Sequence, residues 1–555
     1  MSKSAFNSTP KNELFKKACR EIIEELMSLD NIRELKNINK IKIKVIKKYD
    51  DVPIPKNSHL LSFLETDEER NKLINILRIK KVRTMSGVAV VAIMSEPYSC
   101  PHGRCLYCPG GPESFFDSPQ SYTGFEPATR RGIQNNFDPY LQVTNRLTQL
   151  KSIGHNVSKI ELIIMGGTFP ARDMEYQTKF IKKSFQAIAD FGSKNKTPIP
   201  NETLEEVILR CERSKNRLVG FTIETRPDYC NKKQINFSLN SGVTRVELGV
   251  QTIYNHIYKK IERGHTIEEV IETTRMLKDS GLKVLYHIMP NLPETTIDMD
   301  FETFKTIYTD PRFKPDMLKI YPCLVVKDTK LYDLWKKELY KPYSLDETIN
   351  LLAKAQSIIP KWIRIQRVQR DIPVQYIEAG VQKSNLRQLV HKRMESLNLK
   401  CNCIRCREVG LIKLKENRVP EPDNIKLNLS IYKASQGEEI FLSYEDEIKD
   451  ILIGYLRLRI PSEKAFREEI IEKPSSIVRA LHVYGPVVPI GKEKLHKQLH
   501  WQHKNIGFKL LKKAEEISKN EYDRNKILVI SGIGVREYYR KFGYKKDGSY
   551  VSKYL

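Results

Sequence analysis

The chain has 555 residues, 40% of them hydrophobic, and its 94 Lys and Arg exceed its 68 Asp and Glu to give a formal net charge of +26. This length predicts two or three domains, and the excess of cations favours a polyanionic partner such as RNA, DNA or a phosphate-rich cofactor. The alternative is that the positive charge reflects only solubility or the amino-acid usage of a host whose proteins contain much Lys and Ile. The sequence has no run of eighteen apolar residues and no apolar N-terminal segment, which predicts a cytoplasmic protein without a membrane contact.

The first predicted domain, residues 1–85, is a basic helical segment. Its stretch 33–48 reads RELKNINKIKIKVIKK and carries seven Lys and Arg residues against one Glu. Because such a density of cations suits a phosphate backbone, we expect this segment to bind nucleic acid. A solvated helical face is the alternative for this stretch taken alone.

The second predicted domain, residues 86–375, alternates between strands and helices. Short β-branched runs such as VAVVAIM, KIELIIM and LVGFTIE are separated by amphipathic stretches such as TIEEVIETTRMLKDSG. A succession of βα units predicts a parallel sheet that is closed or partly closed as a (β/α) barrel. Active sites of such barrels lie at the C-terminal ends of the strands. The first strand ends just before a group of cysteines, which places that group where a reaction centre belongs.

Two further units are predicted, a basic connector over residues 376–415 and a C-terminal domain over residues 416–555. The connector ends in LKCNCIRCREVG. After it the strand patterns KLNLSIYKA, EEIFLSYED and DILIGYLRLRI follow one another, and a helix, a strand and a second helix come last. This order predicts a separate α+β domain. The predicted fold class is therefore α/β, a partial (β/α) barrel followed by an α+β domain.

Three cysteines lie close together after the first barrel strand. Cys100, Cys105 and Cys108 in CPHGRCLYC are separated by four and two residues. A structural zinc site takes four ligands, whereas a [4Fe-4S] cluster on three cysteines keeps one iron open for a small chelating ligand. A zinc loop with His102 as the fourth ligand is the alternative. The loop resembles that of the radical S-adenosylmethionine enzymes, whose usual spacing is three and two residues.

This resemblance implies that Cys100, Cys105 and Cys108 hold a [4Fe-4S] cluster and that its open iron binds S-adenosylmethionine. Residues at the ends of later strands suit this cofactor, because glycine lets the backbone approach an amino group closely and polar side chains can hold a ribose and a carboxylate. The segment MGGTF resembles the methionine-binding turn of these enzymes. The residues predicted to bind S-adenosylmethionine are Gly166, Gly167, Thr168, Glu224, Arg226 and Gln251.

The C-terminal domain resembles the GNAT acetyltransferases in RALHVYG, WQHKNIGFKLLKKAEE and ISGIGVREYYRKFGY. In that fold a strand contacts the pantetheine arm of acetyl-CoA, and a glycine-containing loop that opens a helix receives the pyrophosphate. Asn505 stands where the usual motif has its first glycine, and Asn tolerates left-handed geometry. Tyr539 is expected to donate its hydroxyl near the leaving thiolate, with packing on an amphipathic helix as the alternative. The residues predicted to bind acetyl-CoA are Ala480, Leu481, His482, Val483, Gln502, Ile506, Gly507, Phe508 and Tyr539.

A second group of cysteines occupies the connector. Cys401, Cys403 and Cys406 are closely spaced, and Cys323 follows the strand segment KIYP. Four thiolates suit a structural zinc ion that would fix the connector to the barrel. The alternative is that Cys323 is a small buried apolar residue and that His391 completes the zinc shell.

The order of a radical S-adenosylmethionine barrel and then a GNAT domain resembles the family of Elongator catalytic subunits. The similarity runs from about residue 85 to the C-terminus through motifs that include CPHGRCLYCPGG, MGGTF, RIQRVQRDIP, FLSYED and VISGIGVREYYRKFGY. It implies an acyltransferase that uses acetyl-CoA and a 5′-deoxyadenosyl radical to form 5-carboxymethyluridine at the tRNA wobble position. Uracil C5 is a poor nucleophile, so a new carbon–carbon bond there calls for radical chemistry supplied by cofactors. The resemblance also links Lys159 to acetyl-CoA in a catalytic role.

The same resemblance implies that a tRNA anticodon stem-loop enters a cleft between the domains with its base splayed out. Two alternative functions remain, protein lysine acetylation with the barrel as a scaffold and a non-catalytic tRNA-binding iron–sulfur protein. Homodimerisation and accessory subunits also stay open. An ion-paired or solvent-facing strand is the alternative for the three arginines of IRIQRVQR. The expected tRNA contacts are the stretch 33–48, Arg263, His265, Arg364, Arg367 and Arg370.

Overall fold

The computed structural model describes residues 10–29, 37–193, 198–485 and 505–555. The N-terminal unit is a group of helices packed around a small apolar core that includes Ile22, Leu26 and Leu73. Because these helices present apolar side chains at helical spacing on one side only, their other faces stay polar. The helices of this unit span Pro10–Ser28, Ile38–Ile46, Asn57–Ser62 and Asp67–Leu77.

The basic stretch of the N-terminal unit is partly used within the unit itself. Lys42 is buried, and Lys44 and Lys48 pair with acidic side chains of the first helix. Lys40 and Lys47 are exposed. The part of this stretch before residue 37 lies outside the described residues. Part of the predicted nucleic-acid surface is therefore occupied by internal ion pairs.

In the described part of the chain, seven parallel strands lie side by side in sequence order. Strands β1 and β7 form the two edges of this sheet, so the barrel is partial and not closed. The prediction of a partial (β/α) barrel is confirmed. The strands are β1 (Ala89–Met94), β2 (Lys159–Met165), β3 (Arg217–Thr225), β4 (Arg245–Gln251), β5 (Lys283–Ile288), β6 (Met317–Ile320) and β7 (Arg364–Val368).

Helices connect the barrel strands and cover their outer face. Several begin with a capping box, in which Thr203, Thr266 or Ser344 accepts from the backbone N–H of a Glu three residues later, as the sequence pattern predicts. The main apolar core lies between these helices and the sheet. The helices span Pro127–Gln134, Pro139–Ser152, Met174–Asp190, Leu204–Arg213, Lys232–Asn240, Asn255–Lys260, Ile267–Asp279, Ile297–Thr309, Lys330–Lys336 and Leu345–Ser357.

The second sheet belongs to the C-terminal part of the chain and follows the connector helices Leu386–Ser396, Ile404–Arg407 and Val409–Glu416. Its strand order is β13-β14-β12-β11-β10-β9-β8, and its pairs are antiparallel except β11 with β12. The prediction of a second α+β domain is confirmed. Its strands are β8 (Ile425–Ala434), β9 (Gly437–Asp446), β10 (Ile451–Ile460), β11 (Ser475–Val483), β12 (Lys526–Val529), β13 (Lys545–Asp547) and β14 (Tyr550–Tyr554). Its helices span Glu468–Ile471, Ile506–Asn520 and Arg536–Arg540.

A buried group of charges joins the two sheets. Arg479 Nη2 lies 2.5 Å from Asp316 Oδ2, just before β6, and its Nη1 lies 2.8 Å from Glu439 Oε2 on β9. Arg459 Nη2 lies 2.7 Å from Asp279 Oδ1 of the barrel. All five side chains are at most 1% exposed. Because buried charges are tolerated only when paired, this group fixes the second domain against the N-terminal ends of the barrel strands.

Replacing Asp316 by asparagine should lower the free energy of unfolding by about 3–5 kcal/mol, because the change removes one of the two carboxylates that pair with the buried Arg479 guanidinium. Asp310→Asn is the matched control. Asp310 pairs with Arg312, whose side chain is 63% exposed, and such a surface pair contributes about 1 kcal/mol or less. Urea unfolding followed by circular dichroism measures both variants. Equal losses would contradict the role of Asp316 at the domain interface.

Candidate active site

The cluster loop, residues 100–108, follows β1 at the C-terminal ends of the barrel strands. Its three thiols are buried, and burial raises the pKa of each. Hydrogen bonds to sulfur favour the thiolate and offset part of the cost of burial. The contacts are Cys100 Sγ with Thr168 Oγ1 (3.5 Å), Cys105 Sγ with Arg263 Nη1 (3.5 Å) and Cys108 Sγ with the backbone N–H of Ser121 (3.2 Å).

The separation of these three sulfur atoms fits a cluster better than a single ion. Sulfur ligands of one tetrahedral zinc ion lie about 3.8 Å apart, because each Zn–S bond is about 2.3 Å long. Among the described residues, Cys100, Cys105 and Cys108 are not in any group whose ligand atoms all lie within 4.8 Å of one another. His102 Nε2 lies 3.1 Å from Cys105 Sγ, but the wider spread of the sulfurs disfavours a zinc loop completed by this histidine. The three thiols therefore suit the larger [4Fe-4S] group.

A cavity lies beside the cluster loop. Cys100 lines this cavity together with Gly167, Thr168 and the three polar residues predicted from β3 and β4. Gly166 lines a small adjoining cavity with Cys100 and Thr168. The structure thus brings the six residues predicted to bind S-adenosylmethionine to one end of the barrel, next to the cysteines.

The two glycines after β2 are required by the backbone. Gly166 has φ +126° and Gly167 has φ +89°, a backbone region that residues other than glycine rarely adopt. A Cβ atom on Gly166 would lie 2.2 Å from Ser95 Oγ, and one on Gly167 would lie 2.9 Å from Gln120 Cβ. The turn therefore presents backbone atoms without a Cβ atom to the cavity, as a methionine-binding turn requires.

The polar residues of the cavity have unused hydrogen-bonding atoms. Arg226 is held by Asp228 through Nε (2.9 Å) and Nη2 (2.7 Å), yet its buried Nη1 has no hydrogen-bond partner among the described residues. Gln251, with φ +74°, has a buried Oε1 that accepts nothing from the part of the chain described. Because unpartnered buried polar atoms are costly, both point to a polar ligand in this cavity.

A buried ion-pair group beneath the cavity was missed in the sequence. Lys319 Nζ lies 3.3 Å from Glu224 Oε1 and also contacts Glu247, and His287 Nε2 lies 2.9 Å from Glu247 Oε2. Although burial opposes ionisation, these cations and Arg245 hold the pKa of Glu247 below its usual range. The signal in the sequence was the alternation in RVELGVQ, which puts Arg245, Glu247 and Gln251 on one face of a central strand.

Two of the predicted tRNA contacts have other roles. Arg263 is buried with Nη1 on Cys105 Sγ, and His265 is buried beside it, with Arg263 Nε 3.2 Å from His265 Nε2. Neither faces solvent, so the prediction of RNA contacts there is corrected. Both residues buttress the cluster loop, because a cation beside Cys105 offsets the negative charge of a thiolate.

The arginines of β7 divide between two sites. Arg364 Nη1 donates to Glu408 Oε2 (2.6 Å) and to the Tyr484 hydroxyl (3.0 Å). It therefore lies between the barrel and the second sheet, and its prediction as a tRNA contact is wrong. Arg367 and Arg370 line the cavity beside the cluster loop. They remain placed where an anionic ligand would enter.

A second cavity lies between the N-terminal ends of the barrel strands and the second domain. Ala480, Leu481, His482 and Tyr539 line it, as predicted for an acetyl-CoA site. Strand β11, which carries the first three, pairs in parallel with β12 only as far as Val478 with Val529. The two strands diverge beyond this point, as a strand that receives a pantetheine arm requires.

The helix Ile506–Asn520 begins beside this cavity. Asn505 precedes it with φ +57°, the left-handed geometry expected of an Asn in place of glycine. A Cβ on Gly507 would lie 2.8 Å from the Tyr538 hydroxyl, so only glycine fits there without movement. Phe508 stacks on Phe542 with ring centroids 4.7 Å apart, a packing contact. The predicted contact Gln502 lies outside the described residues.

Of the two remaining residues assigned to acetyl-CoA, Tyr539 lines the cavity and Lys159 does not. Tyr539 is buried, and burial raises its pKa above the usual tyrosine range, which keeps its hydroxyl protonated as a donor. Lys159 starts β2 and is not among the residues that line the cavity. Burial, followed by the charge of Arg217, lowers its pKa. Its positive charge contributes to the lowered pKa of His482, so it lies near the strand that lines the cavity.

Comparisons with known proteins agree with this arrangement. Models of the ELP3 N-terminal domain, the Radical SAM superfamily and the Radical_SAM C-terminal domain match residues 15–85, 97–307 and 315–396. The chain is 53% identical to the tRNA uridine(34) acetyltransferase of Methanocaldococcus jannaschii, over 97% of this chain and 98% of that protein. The chain belongs to the Elongator complex protein 3 family. It is 42% identical to human Elongator complex protein 3, over 98% of each chain.

A solved structure supports the same family assignment. The Elp3 of Methanocaldococcus infernus with residues 1–46 deleted has 50% sequence identity and a TM-score of 0.74, covering 85% of this chain and all of that chain. Membership in the Elongator complex protein 3 family and the match to the Radical SAM superfamily imply a [4Fe-4S] cluster and S-adenosylmethionine in the barrel. Within the described residues no helix is long and apolar enough to cross a membrane.

In the second cysteine group, three of the four cysteines predicted as zinc ligands lie close together. Sγ atoms of Cys401, Cys403 and Cys406 lie within 4.8 Å of one another. Cys323 instead packs with Tyr107 and other residues beside the cluster loop, so its prediction as a zinc ligand is wrong. Cys323 follows β6 at the C-terminal end of the barrel, whereas Ile404 of the connector donates its N–H to Ile363 O, just before β7. His391 Nε2 lies 3.8 Å from Cys406 Sγ, but it is not part of the group whose ligand atoms all lie within 4.8 Å of one another.

Proposed function

We propose that this protein forms 5-carboxymethyluridine at the wobble position of tRNA from acetyl-CoA and S-adenosylmethionine. Its relatives named tRNA uridine(34) acetyltransferase place it among enzymes of the radical S-adenosylmethionine class that act on this uridine. The observation that carries the proposal is one barrel with a three-cysteine loop and polar cavity at one end and a GNAT-like cavity at the other. A carbon–carbon bond to uracil C5 needs chemistry of both kinds.

Cys100, Cys105 and Cys108 would hold the [4Fe-4S] cluster, which when bound supplies the electron that cleaves S-adenosylmethionine. The protein contributes position and charge. Gly167 and Thr168 leave room for the methionine amino group, and the free Oε1 of Gln251 and Nη1 of Arg226 offer hydrogen bonds to the amino acid and ribose groups. Lys319 keeps Glu224 oriented by its contact of 3.3 Å, which favours one geometry for the bound cofactor.

Acetyl-CoA would bind at the second cavity, with its pantetheine arm along Ala480–Val483 and its pyrophosphate at the helix that begins at Ile506. The backbone N–H groups of a first helical turn, which have no partner within the helix, and the helix dipole favour a phosphate there. The protonated Tyr539 hydroxyl would donate to the thioester carbonyl or the leaving sulfur. Lys159 adds positive charge behind the strand.

The tRNA would approach the end of the barrel that carries the cluster loop. Arg367 and Arg370 line the cavity there, and the Arg367 side chain is 44% exposed, so it is available to a phosphate. The exposed Lys40 and Lys47 of the N-terminal unit would add contacts to the RNA backbone. Flipping the uridine out of its stack would carry C5 into the cavity.

A structural zinc ion would bind Cys401, Cys403, Cys406 and His391, which join the connector to the barrel. Cys403→Ser should reduce zinc content from about one equivalent per chain to below a tenth, because a shell of three ligands binds far more weakly. Cys323→Ser is the matched control and should keep its zinc, since it lies apart from this group. Elemental analysis of the purified chains measures both. Loss of zinc in the control, or retention in Cys403→Ser, would contradict this assignment.

The deciding experiment incubates anaerobically reconstituted protein with tRNA, acetyl-CoA and S-adenosylmethionine and analyses the nucleosides by mass spectrometry. We expect 5-carboxymethyluridine only when all three substrates are present. Acetyl groups on protein lysines with no modified uridine would support lysine acetylation instead. Tight tRNA binding with neither product would support the non-catalytic alternative.

A further inference from the structure

The two cavities open at opposite ends of the same barrel. The acetyl-CoA cavity is lined by the first residues of several strands, including Arg245, Lys283, Met317 and Arg364. The cavity beside the cluster loop is lined by residues at or just beyond the ends of strands. An acetyl group and a radical formed in these places would be separated by the interior of the barrel. The proposed reaction therefore requires a route between them.

One layer of side chains separates the two cavities inside the barrel. Side chains alternate along a strand, so residues two apart share a face. Gly220 lines the acetyl-CoA cavity and Glu224 the other, which puts Thr222 between them on β3. The same alternation puts Leu285 between Lys283 and His287 on β5. Four residues of strand, as from Gly220 to Glu224, span about 13 Å, with one inward-facing residue between the two ends.

We name this intermediate layer the waist and define it by Ile163, Thr222, Leu285 and Lys319. Each sits between a residue of one cavity and a residue of the other on its strand. Ile163 and Leu285 lie outside the apolar cluster that fills the space between the sheet and its helices. The waist is therefore a separate layer on the inner face of the sheet.

The barrel interior is charged where such barrels usually carry bulky apolar residues. Arg245 pairs with Glu161 on the acetyl-CoA side and lies 3.5 Å from Glu247 on the other side. Glu247 in turn contacts Lys319, which reaches Glu224 in the cavity beside the cluster loop. A continuous series of ion pairs thus crosses the waist. Burying five charges is costly, which calls for a reason beyond packing.

Polar atoms in this interior lack a hydrogen-bond partner within the described residues, namely the hydroxyl of Thr222 and Nε of Arg245. Native interiors rarely leave such atoms unsatisfied. Their position between two cavities points to a polar group that enters from one of them. A thioester carbonyl and the amides of a pantetheine arm offer the matching donors and acceptors.

We propose that the barrel interior is the binding site for the acyl end of acetyl-CoA, which passes the waist to reach the cavity beside the cluster loop. Arg245 and Glu247 separate to admit it, and Thr222 and Arg245 hydrogen-bond to the thioester carbonyl and the adjacent amide. The site takes an acyl thioester on a pantetheine arm. This inference rests on the proposed acetyl-CoA site, and its test separates the two.

Bromoacetyl-CoA tests this route without iron or S-adenosylmethionine. A cysteine thiolate attacks its CH₂ carbon, a C–S bond forms and bromide leaves, so the label stays where the acyl end reached. Thr222→Cys puts a thiol in the waist, and Leu285→Cys does so from a second strand. Ser531→Cys puts a thiol in the acetyl-CoA cavity itself. Peptide mapping by mass spectrometry locates the label, and the native buried Cys211 and Cys230 serve as internal standards.

We expect labelling of the thiols introduced at Thr222, Leu285 and Ser531 at least tenfold above Cys211 and Cys230, and suppressed about tenfold by desulfo-CoA. Labelling at Ser531 alone would overturn the passage through the barrel and leave the acetyl-CoA site intact. No labelling at any of the three would overturn both. Circular dichroism shows which variants fold, and either waist variant suffices for the conclusion.

Discussion

Cys105→Ala should abolish 5-carboxymethyluridine formation, with a loss of at least a thousandfold under conditions where the unchanged protein is active. Cys105 is one of the three thiols of the cluster loop, and the remaining two cannot hold a [4Fe-4S] group with one open iron. Its Sγ also accepts a hydrogen bond from Arg263 Nη1 at 3.5 Å, so the change removes the sulfur beside a buried guanidinium. Nucleoside analysis measures the product, and iron content and the absorbance near 400 nm measure the cluster.

Cys230→Ala is the matched control for this loss. Cys230 is equally buried, belongs to the same core as the barrel sheet and lies outside the cluster loop. We expect it to keep its iron and most of its product yield, since removal of one sulfur from a core costs stability and not chemistry. An active Cys105→Ala variant would show that the uridine is modified without the cluster. An inactive Cys230→Ala variant with full iron content would place the defect elsewhere in the barrel.

The sequence was sufficient for features with a local pattern. Strand and helix alternation predicted the partial barrel. The spacing of Cys100, Cys105 and Cys108 and the paired glycines after β2 predicted one end of the barrel. These features depend on residues close in sequence, so backbone geometry alone brings them together.

Features that depend on pairing across the chain were not predictable in this way. Arg364 reads as a surface arginine in IRIQRVQR, but its partners Glu408 and Tyr484 come from the connector and β11 side of the second domain. Cys323 lies far from the connector both in sequence and in space. Its neighbours are residues of the cluster loop, because the loop that carries Cys323 lies at that end of the barrel. A single charged residue gives no sign of a partner a hundred residues away.

The charges inside the barrel illustrate the same limit with a partial signal. Arg245 and Glu247 lie two residues apart on β4, a spacing that indicates one polar face but not which face of the sheet. Their partners Glu161 and Lys319 lie on β2 and β6, and strand order alone sets these contacts. The local pattern therefore indicates that a charged face exists, while the curvature of the partial barrel turns it into a series of ion pairs.

Gly167→Ala should weaken the binding of S-adenosylmethionine at least tenfold. Gly167 has φ +89°, where a side chain costs about 1–2 kcal/mol. Its new Cβ would also lie 2.9 Å from Gln120 Cβ, closer than two carbon atoms can approach. The turn must move toward the cavity that it lines, and it then occupies space intended for the cofactor. Equilibrium dialysis with the reconstituted protein measures the dissociation constant.

Gly192→Ala separates this local clash from general backbone strain. Gly192 has a similar φ of +80°, but a Cβ there meets no atom within 4 Å, and it lies outside the residues that line the cavity. Because both variants carry the same strain, only displacement of the turn after β2 distinguishes them. We expect Gly192→Ala to bind S-adenosylmethionine with an unchanged dissociation constant. Equal weakening in both variants would attribute the effect to global stability and remove the argument that the bare backbone at Gly167 forms the cofactor site.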